Sequence, residues 1–194
     1  MMNPLPLVWP ALPARLDSSA EAELLLRARN GDREAIALLF DRSRDRIIAL
    51  CFQVLRDREG AEDAAQEILL RAFDKMPQFR GQSEFSTWLY RLALNFCLER
   101  KRKTQRRTEL SQRLSEPEVP VPDHAAQVET RLALERALDE LDEPSRLVLI
   151  LREWHELSYD EIAAVLHLPL GTVKSRLNSA RREFRRIWEA HDGD

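Results

Sequence analysis

The chain has 194 residues, with 30 Lys and Arg against 33 Asp and Glu, a net charge of −3, and 32% charged and 44% hydrophobic residues. That is the balance of one folded domain or two small ones. With only five glycines and no runs of β-branched residues, a sheet is not expected. No apolar run is long enough to span a bilayer, and Met1 to Pro13 has four prolines and no cation, so it lacks the basic start and unbroken apolar core of a signal peptide.

The predicted elements are helices throughout. Residues 1–16 read as a flexible Pro-rich extension. A first helix is predicted over Asp17–Asn30 and ends at Asn30-Gly31. Asp32 is placed to cap a second helix, whose apolar positions include Ile36, Leu39, Phe40, Ile47, Cys51 and Leu55. Asp57–Gly60 reads as a break, and Ala61–Met76 as a third helix stopped by Pro77. Its Asp63, Gln66, Glu67 and Arg71 share one side, with Ala65, Ile68, Leu69, Ala72 and Phe73 on the buried side. That polar side is either a solvated face or a docking face. Cys51 and Cys97 have no metal-ligand spacing to another Cys or His and read as buried thiols of a reducing compartment.

Phe79 to Arg91 packs four aromatic residues and two arginines around a Gly-containing loop, followed by a fourth helix from Ser86 to about Lys103. Rings and guanidinium planes are what unstacked bases dock on. Trp88, Tyr90, Leu92 and Phe96 have a plain core reading as well. The charge then changes abruptly. Arg100 to Arg107 holds six cations and no acid, whereas Thr108 to Glu143 carries ten acids against three bases. Local fields of this size decide docking more than the total charge does. Residues 104–127, with Pro117, Pro120 and Pro122 among acids, read as a flexible linker.

Val128–Leu141 is predicted to be helical, and Pro144 opens another helix to about Trp154. Ser158 and Glu161 have the spacing of a capping box. Pro169 and Gly171 form a turn in this reading, and Thr172 caps a final helix whose buried stripe is Val173, Leu177 and Ala180. Its water-facing side holds Lys174, Ser175, Arg176, Asn178, Ser179, Arg181 and Arg182. Short polar side chains for base edges and cations for phosphates are what a major-groove helix needs. The alternative is a solvated helix with a basic end, which its dipole favours.

Three stretches together resemble the extracytoplasmic-function (group 4) sigma factors of the sigma-70 family. Asp63–Phe73 looks like that family's core-polymerase-binding helix. Phe79-Arg80-Gly81 followed by Phe85–Asn95 looks like its −10 reader. Leu157–Ala163 with Gly171–Leu177 looks like its −35-binding region. The resemblance implies an all-α fold of two small domains, a sigma2-like bundle over 17–103 and a sigma4-like helix-turn-helix over 128–190, joined by an acidic linker that threads the polymerase. It implies a cytoplasmic protein without cofactor or metal that joins the β and β′ subunits of core RNA polymerase, binds and opens promoter DNA, and is controlled by an anti-sigma factor. Asp63, Gln66, Glu67 and Arg71 would meet polymerase. Phe79, Arg80, Trp88, Arg91 and Asn95 would take the −10 strand, with the pocket for a flipped base between the loop and the start of the fourth helix. Arg152, Thr172, Lys174, Ser175, Arg176, Asn178, Ser179, Arg181 and Arg182 would bind −35 DNA. Asn178 and Ser179 stand where several relatives carry larger or cationic groups. Two other readings exist: a helix-turn-helix regulator that never joins polymerase, and an enzyme holding Mg²⁺ on Glu62, Asp63 and Glu67.

Overall fold

The computed structural model describes residues 18–81, 83–111 and 133–191. The Pro-rich extension, most of the linker and residues 128–132 lie outside them. Every regular element among the described residues is helical. In order they are α1 (Ser18–Arg29), α2 (Arg33–Leu55), α3 (Arg58–Lys75), a 3₁₀ turn (Met76–Gln78), α4 (Phe85–Ser111), α5 (residues 133–139), α6 (Glu143–Glu153), α7 (Tyr159–Leu166) and α8 (Leu170–His191). They fall into two compact units, the first carrying α1 to α4, the second α5, α6, α8 and the start of α7.

In the first unit, Gly31 adopts φ 85°, a conformation glycine reaches without steric cost, and turns the chain into α2. Asp32 caps α2 as its sequence position predicts, its carboxylate accepting from the backbone N–H of Glu34 and Ala35 at 3.0 and 3.1 Å. α2 packs against α1, α3 and α4, and its Leu39, Ile47, Leu50 and Cys51 are wholly buried. The expected break over Asp57–Gly60 is shorter than that. Arg56, left-handed at φ 60°, ends α2, and α3 begins two residues later at Arg58. Gly60 therefore sits inside α3, where a Cβ would overlap the Asp57 carboxylate and lie 3.3 Å from Arg100 Nη2. The glycine serves close approach rather than a turn.

α4 also differs from its predicted extent, running to Ser111 instead of about Lys103. The eight added residues are mostly good helix formers with no Gly or Pro among them. Cys51 and Cys97, distant in sequence, meet with sulfurs 3.5 Å apart and both buried. The neighbouring thiol and burial hold the Cys51 thiol protonated, its pKa raised far above the ordinary thiol value.

The second unit is built on α6, whose Leu147, Val148, Leu149, Ile150 and Leu151 are all buried, and on the inner stripe of α8, where Val173, Leu177 and Ala180 are joined by Phe184 and Ile187. Arg146 supports α6 through Asp139 at 3.2 Å. The α7 capping box forms as its spacing predicts: Glu161 N–H donates to Ser158 Oγ at 3.2 Å, and Ser158 N–H to Glu161 Oε2 at 2.7 Å. The turn after α7 has different chemistry from the one expected. His167 takes the left-handed conformation at φ 53°. Gly171 is an ordinary helical residue, and nothing lies within 4 Å of where its Cβ would be. The carbonyl of Pro169 accepts from Thr172 and Val173 N–H at 2.9 and 3.1 Å. α8 thus starts at Leu170, and Thr172 lies in its first turn instead of capping it.

Candidate polymerase and nucleic-acid interfaces

On α3, Asp63, Gln66, Glu67 and Arg71 are all exposed. Arg71 Nη2 donates to Glu67 at 2.6 Å, one helical turn away, and its guanidinium lies 4.6 Å from the centre of the Phe96 ring on α4. Arg71 therefore ties the face to the bundle. The face is not purely polar. Leu70 is 69% exposed and Phe73 40%, although Phe73 was expected on the buried side. Both continue the row of Asp63, Gln66 and Glu67 at helical spacing. The signal was present in the sequence as an apolar pair in phase with the polar residues. Glu62, Asp63 and Glu67 form no metal-binding cluster, nor does any other group of three His, Cys, Asp or Glu among the described residues.

The loop before α4 divides its aromatic residues differently from the sequence reading. Phe79 is buried, not a free stacking surface. Its ring meets Phe85 edge-on at 6.1 Å and Trp88 at 5.2 Å, and Phe85 stacks on Phe40 of α2. Tyr90 is buried too, its hydroxyl 3.5 Å from Arg46 Nη1. Trp88 and Arg91 are half-buried, and Arg80 and Asn95 are exposed. Beside this cluster opens a cleft of about 500 Å³ between α1, the loop and the start of α4, with Leu25, Leu26, Arg29, Phe79, Gly81 and Ser86 in its walls. Gly81, at φ 70°, lets the loop turn there. The sequence offered no reason to place α1 on this cleft.

On α8, Lys174, Ser175, Asn178, Ser179 and Arg182 are exposed on the side opposite the buried stripe, with Thr172 and Arg176 half-buried beside them. Ser175 Oγ donates to the Thr172 carbonyl at 3.1 Å. Arg185, also exposed, extends the row. Two of the expected phosphate ligands are instead bound within the unit. Arg181 Nε and Nη2 both donate to Glu153 Oε1 on α6, at 2.8 and 2.5 Å, and both side chains are about one-fifth exposed. Burial lowers the Arg181 pKa, but the hydrogen bond and charge of Glu153, with those of Tyr159, outweigh it and leave it raised. Arg152 Nη1 donates to the Leu157 carbonyl at 2.8 Å, with its guanidinium over the Tyr159 ring. The sequence places both on polar positions; only the packing shows an acceptor within reach.

No described helix is long and apolar enough to cross a membrane.

Both units match models of one protein family. Residues 39–107 match the Sigma-70 region 2 family model, and residues 131–184 match Sigma-70, region 4. The chain is 32% identical over 173 residues to the ECF RNA polymerase sigma factor SigW of Bacillus subtilis, spanning 82% of this chain and 92% of SigW. The sigma factor RpoE of Bartonella quintana, solved in complex with the anti-sigma factor NepR, superposes with a TM-score of 0.66 at 25% identity, covering 78% of this chain and 93% of RpoE. CnrH, solved with the cytosolic domain of CnrY, shares the fold with a TM-score of 0.70 at 24% identity, over 88% of this chain and 98% of CnrH. The region 2 match covers most of α2, all of α3 and all but the last four residues of α4, the region 4 match covers the capping box with most of α8, and the chain belongs to the extracytoplasmic-function sigma factors of the sigma-70 family.

Proposed function

We propose that the chain works as a sigma factor through three separate faces. The exposed row of α3, Asp63, Gln66 and Glu67 continued by Leu70 and Phe73, docks on core RNA polymerase, with charged groups orienting the contact and the two apolar side chains supplying area to bury. Arg80, Trp88, Arg91 and Asn95 hold the single-stranded −10 element, and a base leaving the duplex enters the cleft beside Phe79. Lys174, Ser175, Asn178 and Ser179 face −35 base edges, with Arg182 and Arg185 on phosphates. Binding energy drives promoter opening: melting costs about 1–2 kcal/mol per base-pair step, and a base stacked on an aromatic ring returns about 1–3 kcal/mol. Anti-sigma control is part of the proposal, supported by the RpoE relative captured with NepR.

The observation that carries the reading is the free face of α8, where five small polar or cationic side chains stand exposed opposite a fully buried stripe. The α3 row gives the sharpest test of polymerase docking. Reversing Asp63 and Glu67 to Arg together is expected to weaken association with purified core at least tenfold in a pull-down titration and to leave helicity unchanged, because exposed charges contribute little to stability. Unchanged affinity would assign that face to solvent.

A further inference from the structure

The two cysteines of the chain have no part in the three faces above. Cys51 stands on α2 and Cys97 on α4, 46 residues apart in sequence, and both are wholly buried. The bland explanation is two small apolar residues filling a helix interface. Packing alone buries each thiol but gives no reason for the two to meet. Their sulfurs nevertheless lie 3.5 Å apart across the contact of α2 with α4. Neither belongs to a group that could hold a metal ion among the described residues.

The segment between them is informative. It contains the whole of α3, the 3₁₀ turn, the Phe79–Gly81 loop and the start of α4 through Asn95. A bond between the sulfurs would close that segment into one ring and fix α2 to α4. Such a closure restrains the unfolded chain, and more so for a longer loop. A disulfide is about 2.05 Å long, so the sulfurs have about 1.5 Å to close.

We propose that Cys51 and Cys97 are a redox staple: hydrogen peroxide converts the dithiol to a disulfide that ties α2 to α4 and stabilises the N-terminal unit. One sulfur, as its thiolate, attacks a peroxide oxygen. The O–O bond breaks, the sulfur becomes a sulfenic acid, and the other oxygen leaves as water with the thiol proton. The second sulfur then displaces the sulfenic hydroxyl. The S–S bond forms, and a second water leaves with the second thiol proton. Two electrons pass from the two sulfurs to one peroxide. Burial selects a small oxidant, since a bulky disulfide reagent would have to enter between two packed helices. The neighbouring thiol and burial keep Cys51 protonated against the opposing charge of Arg100, which makes the first step slow. The pair therefore stays a dithiol under reducing conditions and answers sustained peroxide. The second step is fast by comparison, because the partner sulfur is already at hand and consumes the sulfenic acid before further oxidation. The staple is independent of the roles proposed for the α3 and α4 faces.

The test uses the full chain, reduced, freed of reductant and incubated in its folded state with hydrogen peroxide. The expected product is a monomer whose intact mass has lost two hydrogens, whose cysteines no longer alkylate after denaturation, and whose digest joins a Cys51 peptide to a Cys97 peptide. In thermal melts its N-terminal unit is expected to unfold more than about 5 °C above that of the reduced chain, and dithiothreitol is expected to cancel the rise. Cys51→Ala and Cys97→Ala are each expected to show no peroxide-dependent rise, which separates the staple from oxidation of methionine; two variants guard against one that folds poorly. Thiols that stay free in the folded chain and pair only in urea overturn the proposal, as do sulfinic acids or disulfide-linked dimers in place of the internal bond. An internal disulfide with an unchanged or lower melting temperature overturns it as well.

Discussion

At the scale of single residues, an arginine on the basic side of a helix can have either of two fates, and Arg181 and Arg182 show both. Arg182 is exposed, whereas Arg181 is drawn onto Glu153 and couples α8 to α6. Arg181→Ala would strand a carboxylate that is only about one-fifth exposed. We expect it to lower the stability of the C-terminal unit by about 1–3 kcal/mol, between the values for exposed and buried pairs, with Arg181→Ala/Glu153→Ala recovering much of the loss in urea titrations. A single variant of wild-type stability with a shallower salt dependence of DNA binding would return Arg181 to the phosphates. Asp32 makes a pH-dependent contribution in the N-terminal unit. The backbone N–H of Ala35 and the Arg27 side chain hold its carboxyl below the usual range. A lowered folded-state pKa gives stability that is present above the ordinary carboxylate range and lost as pH falls through the lowered value. Asparagine can cap a helix but does not titrate in this range. The fall in melting temperature between about pH 7 and about pH 3 is therefore expected to be smaller in Asp32→Asn than in wild type; an equal or larger fall would show that the carboxylate charge adds nothing to the cap.

At the scale of elements, what could be read beforehand was what local chemistry decides. The Asp32 cap, the Ser158–Glu161 box and the apolar stripe of α8 depend on residues within a turn of one another, and each forms as its spacing predicts. Features set by tertiary contacts were not legible. Phe79 looked like a stacking surface because nothing nearby in sequence announces that Phe40 and Phe85 build a cluster for it. Leu70 and Phe73 stand in phase with the polar row in sequence, but their exposure is decided by what α3 fails to meet. Gly171 misled in another way. Glycine often marks a turn, but here His167 takes the left-handed position and Gly171 lies in the first turn of α8 with open space around it. Replacing Gly171 with Ala is thus expected to stabilise the C-terminal unit by about 0.4–1 kcal/mol, through the lower entropy of the unfolded chain and better helix propensity. A loss of stability in thermal melts would mean that the residue needs a conformation closed to alanine.

At the scale of the whole molecule, a net charge of −3 coexists with two cationic faces, because acids collect between Thr108 and Glu143 while cations line α4 and α8. Charge segregated in this way gives one chain local fields of both signs, and these set docking more than the total does. A sigma factor needs those faces to act together on polymerase, since a regulator that binds DNA alone would use α8 and leave α3 and the exposed residues of α4 idle. Run-off transcription with purified core polymerase, the full chain and a library of promoter fragments tests this directly, with Asn95→Ala assayed on both duplex and premelted templates. The expected result is discrete transcripts from a subset of promoters only when the chain is present, with the Asn95→Ala defect on duplex largely relieved on the premelted bubble. Promoter binding by the chain without any chain-dependent transcript would contradict the central claim.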